Sequence, residues 1–308
     1  MMVFEKSGVN FYLLVATLLL TSSVAAKNVA PGAQEAWQTS VYESWAEQDR
    51  EFKNSPTSPL AGVSRFEIAE TGTVYFAEKD GELGWSLEEG DQSKFSLDPA
   101  EGRWKWTDLS AGVTCMREGE STSSGSFLLA GDILKTGRFS VEIYPAENLL
   151  IALVFDANSQ KVKDFETLER FEPDARFAVT AKIVKFEPPE QVDLVTARQR
   201  IKRQFKYAVL KFDIEGVELE LTAYKYALTG EHSDFLFVPF SDKTTGKYSY
   251  GGGRYLGVKE PEEGAEVLID FNLVTNPLCS YAHIYNCIVP TRENKLPIPI
   301  LAGEKKYH

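Results

Sequence analysis

The sequence predicts a mainly β protein: an N-terminal amphipathic helix, a small sandwich-like β-domain, then a larger antiparallel β-barrel or sandwich domain. Three observations carry this reading. From Arg65 onward apolar residues recur with a period of two. The run Val217, Leu219, Leu221 and Ala223 against Glu218, Glu220 and Thr222 is the clearest case, and it is the alternation of a strand with one wet face. The pairs Asp80-Gly81 and Glu215-Gly216 punctuate such runs and supply the tight turn of a hairpin, because Gly takes positive φ without strain. A helical period is clearest near the start, where Trp37, Val41, Trp45 and Phe52 recur at spacings near three and four.

The bulk numbers agree with a folded chain. At 308 residues, 43% hydrophobic and 25% charged, it has material for one large domain or two ordinary ones. A net charge of -12 argues against nucleic-acid binding, since phosphate backbones are held by excess Lys and Arg.

Taken in order, residues 1–26 read as a signal peptide. Phe11 to Leu20 is an apolar run too short to span a bilayer, and Val24 and Ala26 stand at the small-residue positions of a cleavage site. Cleavage after Ala26 leaves an exported, periplasmic or extracellular, chain with no transmembrane segment. Residues 27–60 form the amphipathic helix and linker, stopped by Asn54, Ser55 and Pro56. Its two tryptophans call for a large apolar partner such as a sheet face or open end.

Residues 61–160 read as the small β-domain. Val74 and Phe76 lead into the Asp80-Gly81 turn, and Leu83, Trp85 and Leu87 return. Phe95, Leu97, Trp104 and Trp106 continue the alternation. The Trp104/Trp106 pair has two readings, core or a platform for a sugar or base, with core favoured because aromatics dominate buried area.

Residues 161–308 form the larger β-domain. Its first strands alternate through Phe177, Val179 and Ala181 and end before Pro188-Pro189. The basic cluster Arg198, Arg200, Lys202, Arg203 and Lys206 reads as a solvated hairpin rim.

The stretch from Phe235 to Cys287 concentrates glycine, aromatics, Asn, Asp and Arg. Pro239 has no N–H to give, which puts its strand at an edge or bulge. Asp242 to Gly246 reads as a hairpin loop, with Tyr248 and Tyr250 returning on one face. Gly251-Gly252-Gly253 then breaks the strand just before Arg254. One reading is a nest of N–H groups beside a guanidinium, ready for a carboxylate or phosphate. The other is a bulge with Arg254 paired to Asp242 or Asp270. The G-K-[ST] step of a P-loop is missing, and no cofactor motif is present.

Cys115, Cys279 and Cys287 are the cysteines. In an oxidising compartment Cys279 and Cys287 invite a disulfide across a short loop, which would contribute roughly 2–3 kcal/mol. Cys115 reads as a buried small hydrophobe. Cys279, His283 and Cys287, spaced four and four, would align as zinc ligands on a helix, but the preceding Asn276-Pro277 turn disfavours a helix.

At this point the residues resemble a family. YSYGGGRYLGV, IDFNLVTNPLCSYAHIYNC, the spaced Pro290 and Asn294, and the late AGEKK are similar to the bacterial and archaeal domain-of-unknown-function family 1684. SWAEQDREFKNSPTSPL resembles its N-terminal signature and FEPDARFAVTAKI (171–183) its middle segment. The likeness is strongest over 235–308 and faint from about 61 to 145. In that span members often carry a small β-domain compared with forkhead-associated domains, whose phosphothreonine-reading signature is missing here. The resemblance implies a β-rich fold and supplies no activity. Cys279 and Cys287 match its pattern and His283 does not, which leaves a structural pair and no metal site.

The functional expectation is therefore an exported, non-catalytic β-protein that binds a small anionic or sugar-like molecule. Its site would comprise Tyr250, Gly251, Gly252, Gly253, Arg254 and Tyr255, with Asp242 and Asp270 orienting Arg254. One alternative is a hydrolase using an Asp general base near Arg254. The other is a structural cell-envelope protein.

Overall fold

The computed structural model describes residues 31–69, 72–146, 149–230, 232–261 and 264–307. The apolar run Phe11 to Leu20 and the cleavage site after Ala26 lie outside them. The fold is mainly β, with antiparallel sheets of which one is nearly closed and barrel-like. Two compact units divide the described residues. The first takes 51–165 and Ala282–Tyr285; the second takes 31–50, Glu166–Tyr281 and 286–307. Among the described residues no helix is long and apolar enough to cross a membrane.

Helix α1 (Pro31–Asn54) is the amphipathic element. Val41 and Phe52 are buried, while Trp37 and Trp45 are half-buried. Asn54 ends it as Pro56 follows, and the Ser58 hydroxyl then accepts the Leu60 N–H to cap the 3-10 turn Pro59–Ala61.

The first unit contains β1 (Gly62–Ile68), β2 (Val74–Lys79), β3 (Glu82–Ser86), β4 (Ser93–Ala100), β5 (Arg103–Asp108), β6 (Thr114–Arg117), β7 (Glu120–Thr122), β8 (Asp132–Thr136), β9 (Phe139–Ala146) and β10 (Leu149–Asp156), followed by the short helix α2 (Gln160–Asp164). They make a six-stranded sheet in the order β1-β10-β9-β8-β6-β7 and a four-stranded sheet β3-β2-β4-β5. The Asp80-Gly81 turn has φ of 52° and 81°, the double positive φ of a hairpin turn whose twist matches its strands. One continuous core joins residues of both sheets, Phe76, Phe95 and Leu97 with Val141 and Leu150. Trp104 and Trp106 belong to that core, so neither ring is a platform for a ligand. Cys115 is fully buried in it, and burial pushes its thiol up.

The second unit contains β11 (Ala178–Val195), β12 (Ile201–Ile214), β13 (Val217–Lys225), β14 (Phe235–Phe240), β15 (Arg254–Lys259) and β16 (Glu266–Asp270). Their order is β15-β14-β13-β12-β11-β16, all antiparallel. Glu215-Gly216 turns β12 into β13 with φ of 52° and 84°. Contrary to the sequence reading, β11 does not stop before Pro188-Pro189. It runs on, and the register slips between Lys185 and Glu190, where prolines have no N–H for the ladder. The basic cluster does rim this hairpin: Arg203 pairs with Asp193 at 3.1 Å and Lys206 with Glu293 at 3.1 Å.

Between β13 and β14 the ladder nearly fails, with Tyr224 opposite Phe237 as its single paired register. A side chain closes the gap. The Asn294 amide N–H donates to Thr222 O and to Pro239 O, both at 2.8 Å, and its carbonyl accepts the Thr222 N–H at 2.8 Å. Pro239 thus sits in an inner strand, at a place where an amide side chain replaces the backbone pairing.

Candidate functional site

The stretch singled out in the sequence divides: Asp242, Gly253, Arg254 and Tyr255 are buried, Tyr250 and Gly252 are half-buried, and Tyr248 and Gly251 are exposed. Residues 241–253 form one loop between β14 and β15, so Tyr248 and Tyr250 do not return as a strand. Gly246 takes φ +78° within it, and the Asp242 carboxylate accepts the Thr244 N–H at 2.6 Å, the local capping expected of Asp in a loop. Arg254 is 0% exposed. Its Nη2 donates to Asp242 at 2.9 Å and to Ile300 O at 2.8 Å, and its Nη1 donates to Ala302 O and, at 3.4 Å, to Glu304 O. The guanidinium is a strut between the loop and the segment 300–304, and it presents no face to a ligand. A Cβ on Gly253 would stand 2.6 Å from Phe240 O, at φ +83°. That glycine serves close packing and not an open nest of N–H groups. Tyr255 is buried as well, its hydroxyl donating to Ile288 O at 2.5 Å.

Asp270 does not orient Arg254. One of its oxygens accepts the Trp37 indole N–H at 2.8 Å, and the other accepts both the backbone and the side-chain N–H of Asn272, each at 2.8 Å. Burial is the main cause that raises its carboxyl. Trp45 donates to Asn272 O at 3.0 Å, so both tryptophans of α1 dock through their N–H groups as well as their rings. Glu304 completes the clasp. It is fully enclosed, accepting from the Gln48 amide at 2.6 Å, the Asn276 N–H at 2.6 Å and the Tyr281 hydroxyl at 2.5 Å. Burial raises its carboxyl, partly opposed by Arg170, which itself holds Asp49 of α1 at 2.8 Å. Thus Asp270, Asn272, Asn294 and Glu304, four polar residues of the quoted motifs, are internal fastenings.

An open concavity of this unit lies elsewhere. A cleft of about 860 Å³ is bounded by α1, by the segment 171–176, by the start of β11, by the β12–β13 turn and by Leu301. Trp37 and Phe171 give it aromatic walls, and Gln34, Gln38 and Thr180 give it uncharged polar groups. Its charged lining is acidic: Glu172, Asp174, Asp213 and Glu215 against Arg176. Arg176 is held by Asp174 at 2.6 Å and by Glu215 at 3.2 Å, and this keeps the Asp174 carboxyl below its usual range. None of Tyr250, Gly251, Gly252, Gly253, Arg254, Tyr255, Asp242 or Asp270 lines this cleft. Sequence reasoning missed it because its walls come from separate segments. The one available signal was Trp37, the tryptophan nearest the start of the helix.

Cys279 and Cys287 are neighbours, but the expected disulfide is not formed: both carry free thiols. The two residues are joined instead by one hydrogen bond, the Cys279 N–H donating to Cys287 Sγ at 3.2 Å. His283 is exposed, and among the described residues no cluster of His, Cys, Asp and Glu is arranged to hold a metal.

Fold and site together define an antiparallel β-protein whose second unit carries a helix clasped by buried carboxylates. Residues 163–305 match the family described as protein of unknown function (DUF1684), and the chain belongs to that family. The solution NMR structure of an uncharacterized protein from Haloarcula marismortui is 39% identical. That match covers 47% of this chain and 80% of the other, with a TM-score of 0.40. No curated protein matches the chain.

Proposed function

We propose that this is an exported β-protein that binds, without transforming, a small sugar-like ligand in the cleft between α1 and the 171–176 segment. The observation that carries the reading is the lining itself. Trp37 and Phe171 line it with aromatic rings, the Phe171 ring having Lys305 Nζ 5.4 Å from its centroid, and Gln34, Gln38, Thr180 and Glu172 offer hydrogen-bonding groups around them. Stacking faces with a few polar groups suit a pyranose ring, which has one apolar side and a rim of hydroxyls. The lining carboxylates outnumber the single guanidinium, and that guanidinium is already paired. An anion would be repelled there, so the neutral part of the original expectation is kept and the anionic part is dropped. Export rests on the apolar run Phe11 to Leu20 followed by Val24 and Ala26.

The hydrolase alternative draws little from the geometry. Asp242 is locked against Arg254, and Asp270 is enclosed by Trp37 and Asn272; neither faces the cleft. The test is calorimetric titration of the full chain with a panel of neutral mono- and disaccharides and the corresponding sugar phosphates. Neutral sugars should bind and quench tryptophan emission, sugar phosphates should not, and Phe171→Ala should weaken binding about tenfold by removing one stacking face. Binding of the phosphates in preference, or an affinity indifferent to Phe171→Ala, would end this reading.

A further inference from the structure

The glycine-rich and cysteine-bearing motifs meet at a place the cleft does not use. Tyr250 lays its ring over Gly252, where a Cβ would come within 2.5 Å of the Tyr250 ring carbons. With the bare backbone beneath it, the Tyr250 hydroxyl lies 3.9 Å from Cys279 Sγ, within hydrogen-bond reach of sulfur. Cys279 belongs to the 3-10 turn Leu278–Ser280. Its N–H donates to Cys287 Sγ at 3.2 Å, which sets the two side chains next to each other. Cys287 backs onto the buried aromatic cluster that includes Tyr224, Phe235 and Phe237. Both cysteines are half-buried, neither sealed in.

The two sulfurs are not equivalent. Hydrogen bonds from Cys287 and from Tyr250 favour the Cys279 thiolate and hold it below the ordinary thiol range. Burial pushes Cys287 well above that range, and Tyr250, mostly by burial, is pushed up to about 12, so its hydroxyl keeps its proton to donate. An activated thiol beside a protonated second thiol is the arrangement that disulfide exchange uses.

We propose that Cys279, Cys287 and Tyr250 form a thiol–disulfide exchange site, with Cys279 as the attacking sulfur, Cys287 as the resolving one and Tyr250 as a positioning residue. The substrate is a low-molecular-weight disulfide, R–S–S–R′. The Cys279 thiolate attacks one sulfur, a mixed disulfide forms, and R′S⁻ leaves and takes a proton from water. Cys287 then gives up its proton and attacks the Cys279 sulfur. The Cys279–Cys287 bond forms as RS⁻ departs and is protonated. Two electrons pass from the cysteine pair to the substrate disulfide, which leaves as two thiols; an external dithiol reverses the step. The glycine run thereby acquires a chemical role, since it lets the Tyr250 ring lie flat enough to reach the thiol.

The experiment uses the full chain, fully reduced, mixed with oxidised glutathione at neutral pH and followed by intact mass and peptide mapping. The wild type should lose two hydrogens, with the new bond between Cys279 and Cys287 and Cys115 unmodified. Cys287→Ser should stop at a glutathione mixed disulfide on Cys279. Tyr250→Phe should slow oxidation several-fold and move the pH profile of Cys279 alkylation upward, which a merely structural tyrosine would not do. The proposal is overturned if wild-type Cys279 reacts no faster than free glutathione, if the mixed disulfide of Cys287→Ser sits on Cys115 or nowhere, or if Tyr250→Phe leaves the alkylation profile unchanged. The wild-type rate needs no substitution, so misfolding of a variant cannot rescue the idea.

Discussion

Replacing Arg254 by Met tests the central strut. The change keeps much of the side-chain volume and removes the guanidinium. It leaves the Asp242 carboxylate, whose side chain is 0% exposed, without its counter-charge, and strips Ile300 O and Ala302 O of a donor. Breaking a buried pair by removing one partner costs about 3–5 kcal/mol, and each orphaned carbonyl adds about 1 kcal/mol or more. A loss of about 4 kcal/mol or more is therefore expected, a large share of an ordinary domain's stability. Peptide-resolved hydrogen exchange should report it as lost protection in β14 and β15, while β8, β9 and β10 of the other unit keep theirs. Adding Asp242→Asn to Arg254→Met removes the stranded charge and should restore about 2 kcal/mol, the coupling of a contacting pair. Arg254→Met costing less than about 1 kcal/mol, or additive behaviour in the double variant, would show that the guanidinium is no strut.

Three further expectations follow from the same network. Asn294→Ala removes the bridge between β13 and β14 and should cost about 3 kcal/mol, from buried groups left unpaired; an unchanged urea midpoint would contradict it. Gly303→Ala forces a Cβ to within 2.7 Å of Phe271 O at φ +71° and should lower stability by about 2 kcal/mol, read by the same denaturation. Burial raises the Asp270 and Glu304 carboxyls, so the folded state holds their protons to higher pH than the unfolded chain does. The stability they contribute is full below the unfolded carboxylate pKa of about 4 and is lost as pH rises through the folded values. Glu304→Gln should therefore flatten the fall in urea midpoint as pH rises above the unfolded carboxylate pKa of about 4, and an unaltered pH profile would refute the assignment.

What the sequence disclosed and what it hid have physical reasons. Asp80-Gly81 and Glu215-Gly216 announced their hairpins because positive φ is a local demand that one dipeptide can meet. The α1 stripe was readable because Val41 and Phe52 face inward at helical spacing. The pairing of Arg254 with Asp242 was one of the two readings the sequence offered, but its full burial was not legible, because that depends on carbonyls at 300–304, far along the chain. The same holds for Asn294, whose partners Thr222 and Pro239 belong to two other strands. A run of glycines looked like an opening, yet at Gly253 it marks where backbone and Pro290 press too closely for any side chain. The cleft was invisible because no contiguous motif builds it.

The acceptors for Arg254 are supplied by Ile300, Ala302 and Glu304, and the amide that ties β13 to β14 belongs to Asn294. During synthesis these arrive after every strand of the sheet has been made. Until they leave the ribosome, a charged guanidinium and several strand carbonyls have no lasting partner, so the second unit cannot settle vectorially from its first strand onward. The closing segment acts as a latch, and a translation product halted before residue 294 would hold all six strands of the sheet and still be unable to shut it.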